Sequence, residues 1–158
     1  MLFRSYFIEL AKSLSNSYKL ILIGVSKNDR KQLPENVIAI SRTDNTAQLA
    51  EYYSLADIFL NPTLEDNFPT TNLEALACGT PVITFNTGGS PEVVDEMTGL
   101  VVKKMDSKGF LNAVTSMNNQ FKKTNSINCR IKAVEYYDKK QMYQKYLELY
   151  HAKTEVKC

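Results

Sequence analysis

The chain has little of what metal or triad chemistry requires. Its one histidine, His151, stands in a lysine-rich stretch near the C-terminus and reads as a surface residue. A His-based catalytic triad and a metal cluster are therefore not indicated. The three cysteines, at 78, 129 and 158, are an odd number with no close pair. That spacing points to neither a disulfide framework nor a zinc site, and a reducing cytoplasm suits it best. No apolar run approaches the roughly 20 residues of a membrane span. The first residues, Met1–Phe7, are apolar and aromatic but are soon broken by Glu9 and Lys12, and they lack a secretory signal pattern. There is no internal repeat, low-complexity segment or linker, so residues 1–158 read as one domain with a real core.

What is present is ordinary in amount and uneven in placement. Apolar residues make up 44% and charged residues 23%, values of a globular protein. The net charge of +2 hides a division: residues 1–102 carry 7 basic and 12 acidic groups, whereas residues 103–158 carry 12 basic and 5 acidic groups. The basic part leaves open contact with an anionic membrane or a nucleic acid. The lysines are spread along more than 50 residues, and solvated helix faces are the favoured reading. Nucleic acid is not expected as a partner.

Short apolar runs alternate with amphipathic segments. Tyr18–Val25, Asn36–Ile40, Asp57–Leu60, Pro81–Phe85 and Gly99–Val102 read as strands. A helix capped by Ser5 is expected through about Asn16, with Phe7, Leu10, Ala11 and Leu14 on one face. One helical turn fits Lys27–Leu33, and helices fit Thr46–Ser54 and Thr70–Cys78. In the latter, Leu73, Leu76 and Ala77 face inward and Gly79 ends the helix. Three further helices are placed near Ser107–Gln120, Ser126–Tyr137 and Lys140–Lys153. Cys78 and the tyrosines Tyr136, Tyr137, Tyr143 and Tyr146 read as packing residues. Unbroken apolar strands alternating with helices imply an α/β fold, a Rossmann-like parallel sheet of about five strands covered on both faces.

The most informative stretch runs from Thr63 to Val82. It places Glu65, Asp66 and Glu74 around the start of a helix, with a Gly-Thr-Pro turn and a buried strand after it. Ligand sites on open α/β sheets lie at the carboxyl ends of the strands, where helix N-termini point at the ligand. Asp66 and Glu74 are separated by seven residues, so one carboxylate faces a ligand from the loop and the other reaches it from the helix. A carboxylate can accept hydrogen bonds from both hydroxyls of a ribose. Free amides at Thr70, Thr71 and Asn72 can hold phosphate. Taken alone, the acids can equally well be there to favour the helix dipole. A second candidate, Thr87-Gly-Gly-Ser-Pro-Glu-Val-Val94, follows the next strand; Ser90 would cap a short helix, and Gly88 and Gly89 would let backbone approach a ligand. Gly24 and Arg42 end the first two strands at the same edge.

Taken together, Ala56-Asp-Ile-Phe-Leu-Asn-Pro62, Glu65-Asp-Asn-Phe-Pro69, Asn72-Leu-Glu-Ala-Leu-Ala-Cys-Gly-Thr-Pro-Val82 and Thr87-Gly-Gly-Ser-Pro-Glu92 closely resemble the C-terminal, donor-binding domain of the GT-B glycosyltransferases of family 4, the retaining group 1 enzymes. The resemblance runs from about Tyr6 to Tyr150. It implies transfer of a sugar from a nucleotide-diphosphate sugar to a glycan or lipid-linked acceptor, with retention of configuration. In that family's pattern Glu74 would bind the donor ribose. Asp66 would lie by the transferred sugar and stabilise charge at its anomeric carbon, with Glu65 sharing that work. Backbone around Asn67, Phe68, Pro69, Thr70 and Thr71 would hold sugar hydroxyls and diphosphate. Gly88 and Gly89 would lie near the donor, as would Gly24 and Arg42, and neither a metal nor another cofactor is implied.

Two departures from the pattern stand out. Asp66 replaces a usual Glu, and Pro69 replaces a usual Gly and removes a backbone donor. The resemblance also implies a first, central strand and an Arg/Lys loop ahead of the segment that opens this chain, and an N-terminal acceptor domain before that. The expectation is a truncated donor domain, inactive alone, with its missing domain in the same or another chain. Peripheral contact at the inner membrane face stays open. The alternatives are a non-catalytic nucleotide-sugar-binding module or a subunit of a split transferase. A sugar-nucleotide epimerase ranks low, since the histidine it needs is not found.

Overall fold

The computed structural model describes residues 2–31, 33–117 and 119–154, with side chains between Tyr6 and His151 except at Asn119. Among these residues helices and strands alternate in the order α1 (Leu2–Ser13), β1 (Leu20–Ile23), α2 (Lys27–Arg30), β2 (Val37–Ile40), α3 (Thr46–Leu55), β3 (Phe59–Asn61), α4 (Thr70–Ala77), β4 (Val82–Phe85), β5 (Gly99–Val102), α5 (Ser107–Ser116), α6 (Asn119–Tyr137) and α7 (Lys139–Thr154). A single 3₁₀ turn, Ser90–Val93, lies between β4 and β5. The α/β class follows from the alternation, and every strand pair is parallel. No helix among the described residues is long and apolar enough to cross a membrane.

The layers follow from the strand period of two. In β4, Ile83 and Phe85 point to one face, where they meet Leu10 of α1, Leu14 just beyond it, and Phe110 and Val114 of α5. Val82 points to the other, against Ala75 and Leu76 of α4 and Cys129 and Ala133 of α6. Phe85 receives Tyr6 and Phe110 edge-on, with ring centroids 5.5 and 5.0 Å away. The face foreseen for α1 is the buried one: Phe7, Leu10, Ala11 and Leu14 are all largely withdrawn from solvent.

The five strands do not make one sheet. β1 and β2 form a two-stranded sheet, and β3, β4 and β5 a three-stranded one in that order. In β1 the Leu20 and Gly24 N–H groups bond toward β2, so the alternating groups of Ile21 and Ile23 face away from it. In β3 the Phe59 N–H bonds toward β4, which turns the backbone of Ile58 and Leu60 to the other edge. Among the described residues both edges are left without strand partners. The two sheets meet through α1, whose Phe7 and Ala11 pack on Leu20 and whose Leu10, with Leu14 just after the helix, packs on the second sheet, with Leu60 touching both groups.

Several local expectations are corrected. Ser5 is not a cap, because α1 is already under way at Leu2, and the helix stops at Ser13 rather than near Asn16. The helix foreseen at Ser126 begins at Asn119. Its added first turns place Lys122 to donate from Nζ to the carbonyls of Ser54 and Ala56 at the C-terminal end of α3. Arg130 does the same for Ala77 at the end of α4, and Lys132 pairs with Asp95. These three basic groups are thus tied to the body of the protein, Arg130 while remaining exposed. Tyr136 at the end of α6 and Tyr143 and Tyr146 of α7 are exposed rather than packed, at 67%, 60% and 56%. Cys78 is half-buried, and the core thiol is that of Cys129. Gly79 ends α4 as expected, in the left-handed region at φ 75.

Candidate functional site

Because β3 and β4 are parallel neighbours, the segments that follow them leave the sheet at the same edge. One is the acidic loop between Asn61 and α4; the other is the glycine loop ahead of Ser90. Thr84 Oγ1 donates to the Asn61 carbonyl at 3.0 Å and Thr87 Oγ1 to the Thr63 carbonyl at 2.9 Å, joining the strand ends to the loops. The Gly89 N–H donates to the Asn67 carbonyl at 2.9 Å. The two loops are thus hydrogen-bonded into one unit.

This changes the role of the glycines. Gly88 has φ 48, and a Cβ there would collide with the carbonyl oxygen of Asp66. A Cβ on Gly89 would collide with the carbonyl oxygen of Asn67. What the bare backbone admits at these two positions is the acidic loop itself. Ser90 is also reassigned. It is the first residue of the 3₁₀ turn, with Gly89 before it, and it makes no capping bond. Its Oγ is fully buried and has no hydrogen-bond partner among the described residues.

The acids occupy three different environments. Glu65 is exposed on the loop, its carbonyl accepting from Thr63 Oγ1 at 3.1 Å. Asp66 is half-buried and uses Oδ1 to accept from the Phe68 N–H at 3.0 Å, an Asx turn that shapes the loop. Glu74, one turn inside α4, accepts at Oε2 from Tyr53 Oη of α3 at 3.1 Å. Burial, and then the charge of Glu74, push the Tyr53 phenol well above its ordinary value, so it remains a donor. Phe68 is fixed from the side by the Tyr137 ring of α6, whose centroid is 6.0 Å away.

The start of α4 is open. Pro69 is its N-cap in extended conformation and offers neither a side-chain acceptor nor an N–H. The Asn72 N–H turns back to the Pro69 carbonyl at 3.1 Å, so this amide is withdrawn from the phosphate role foreseen for it. Among the described residues, the N–H groups of Thr70 and Thr71 have no such partner. Two aligned, unpaired amides at a positive helix end make an anion-binding arrangement. The helix is held by a buried chain of amides: Asn61 Nδ2 donates to Asn72 Oδ1 at 2.8 Å, and Asn72 Nδ2 to the Ser90 carbonyl at 3.4 Å.

Asp66, Asn67, Phe68, Gly88 and Gly89 are brought together, with Pro69, Thr70 and Thr71 continuing from them into α4. Gly24 and Arg42 are not joined to them. They end the strands of the other sheet, Gly24 at φ 90 with open space around its Cα and Arg42 exposed. A cavity of about 300 Å³ between α1 and α5 borders the acidic loop only through Pro62. The described residues contain no group of three His, Cys, Asp or Glu side chains able to hold a metal. Sequence reasoning missed Tyr53, Asn61, Asn72 as a core amide, and Thr87. Thr87 alone had a local signal, its place ahead of two glycines.

Comparison with known proteins gives this arrangement a context. The family model described as "Glycosyl transferases group 1" matches residues 3–120. The 41.2 kDa protein in the cps region of Klebsiella pneumoniae is 30% identical over 138 residues, which is 85% of this chain and 38% of that protein. A D-inositol 3-phosphate glycosyltransferase of Saccharomonospora viridis is 39% identical over 67 residues, 42% of this chain and 16% of that enzyme. Among solved structures, a sucrose-phosphate synthase from Thermosynechococcus elongatus superposes with a TM-score of 0.75 at 27% identity, covering 94% of this chain and 43% of its own. Anabaena Alr3699/HepE in complex with UDP-glucose shares the fold, with a TM-score of 0.78 at 18% identity over 94% of this chain and 45% of that one. The chain thus spans less than half the length of these proteins.

Proposed function

The chain belongs to the group 1 glycosyltransferases, and from that membership we propose that it is the nucleotide-sugar-binding part of a retaining transferase. The whole enzyme would move a sugar from a nucleoside-diphosphate donor to a glycan or lipid-linked acceptor. The observation that carries this is the open start of α4, where the unpaired Thr70 and Thr71 amides stand one turn from Glu74. The amides receive the diphosphate, helped by the helix dipole, so no metal is invoked. Glu74 receives the ribose hydroxyls. Asp66 faces the transferred sugar with the oxygen that Phe68 does not use, and Glu65 stands beside it on the same loop. The Anabaena neighbour, whose structure holds UDP-glucose, supports a donor of this class.

Catalysis needs donor and acceptor held together. In this reading the acceptor domain lies in the same parent protein or in another chain, and a further strand fills the space between β1 and β3. Gly24 and Arg42, across that space, would then join the donor site. The chemistry is placed in the cytoplasm, with the basic C-terminal helices free to touch an anionic membrane surface. A second reading, a non-catalytic nucleotide-sugar module, is favoured by the commitment of Asp66 Oδ1 to the loop backbone.

Calorimetry of the purified chain with UDP, GDP and ADP tests the proposal. Binding of one of them is expected, weakened at least tenfold in Glu74→Ala, the loss of a charge-assisted hydrogen bond. Turnover with nucleotide sugars should be negligible without a partner. A chain that binds none of the three, or binds equally well without Glu74, removes the donor assignment. Robust transfer by the chain alone removes the requirement for another domain.

A further inference from the structure

The geometry points to Tyr53 as a positioning residue that holds Glu74 for the ribose of the nucleotide. The inference rests on the donor-site reading and adds to it a residue outside every motif of the loop and helix. Tyr53 sits in the last turn of α3, and its Oη donates to Glu74 Oε2 at 3.1 Å. Three features make this hold firm. The Tyr53 ring packs edge-on against Phe59 of β3, with centroids 5.3 Å apart. The Tyr53 carbonyl accepts from Thr80 Oγ1, fixing the turn of backbone that carries it. The phenol is raised in pKa by burial, so it stays protonated and can only donate to the carboxylate at working pH.

Glu74 is exposed, and a solvated glutamate samples many rotamers. Tying one oxygen removes most of that freedom before a ligand arrives, which lowers the ordering cost of binding. Each carboxylate oxygen keeps acceptor capacity, and Oε1 stays available for a ribose hydroxyl. Tyr53 would therefore act on the sugar of the nucleoside through Glu74, without touching base or phosphate. Its signature is a loss of preference for ribose over a sugar without hydroxyls, which a merely structural role in α3 would not produce.

The test measures affinities of the chain for UDP, GDP and ADP and for the 2′,3′-dideoxy form of each. Tyr53→Phe keeps the ring against Phe59 and removes only the hydroxyl. The expected result is a roughly three- to tenfold loss in affinity for the ribose nucleotide, the effect of one hydrogen bond, with the dideoxy affinity unchanged. Glu74→Gln should lose the same preference. If Glu74→Gln abolishes the ribose preference and Tyr53→Phe keeps it in full, Tyr53 has no positioning role and the donor-site reading stands. Equal losses for ribose and dideoxy nucleotides in Tyr53→Phe also overturn the role. If the unaltered chain has no ribose preference, or Glu74→Gln retains it, the donor-site reading fails and the inference falls with it.

Discussion

Gly88 shows how much a single residue can decide. It combines a left-handed backbone, φ 48, with the Asp66 carbonyl where a side chain would begin. Alanine there must accept the strained conformation and also push the acidic loop away. Gly88→Ala is expected to cost about 1–3 kcal/mol, read as a lower midpoint in thermal or urea melts. Cys129 carries a different signal. Burial raises its thiol from 9.0 to about 11. The folded state keeps this proton in a range where the unfolded chain has lost it. The associated stability is thus complete below about pH 9 and declines as the pH rises toward 11. Cys129→Ala should flatten that decline, by up to about 1.4 kcal/mol per pH unit, in denaturation midpoints measured across the window. The positions of Asp66, Glu74, Gly88 and Gly89 on loop, helix and turn could be seen in the sequence, because they depend on local spacing. The pairing of Tyr53 with Glu74 could not. It joins residues 21 positions apart, and nothing in the chain distinguishes Tyr53 from eight other tyrosines.

Among the elements, α4 is the one the site depends on. It has eight residues, too few turns for periodicity to show which side is buried. The sequence marks Asn72 only for its backbone amide, and its side chain proves to be fully buried, bonded to Asn61 and to the Ser90 carbonyl. Asn72→Leu, which keeps the branch at Cγ in a larger side chain, leaves the Asn61 amide without its acceptor in a dry environment. A loss of about 1–3 kcal/mol is expected, with the urea m-value unchanged. The early start of α6 had no clear sequence sign either. Residues 119–125 are mostly polar, and their helical state is supported by Lys122 reaching the carbonyls at the C-terminal end of α3. Strand positions were easier, since a short apolar run needs cover on both faces wherever it pairs.

At the scale of the whole molecule, the parallel α/β class was readable from alternation, and the arrangement of cores on both faces of β4 came with it. Division into two sheets was not readable, because which strands pair is fixed by contacts across the chain. The family pattern supplied the expectation of an additional central strand, and the edges of β1 and β3 are where one would have to bond. Those edges have a consequence for how the protein behaves as a solute. Rows of unpaired backbone groups template pairing with any extended chain, including another copy of the same protein. The edge strand β1 is apolar throughout, with Ile23 39% exposed. The purified chain is therefore expected to self-associate as its concentration rises, and Ile23→Lys, a charge on that edge, to suppress the association in light scattering. Unchanged scattering would place the sticky surface elsewhere. Shelf life and solubility of this protein are thus set by the space between its two sheets.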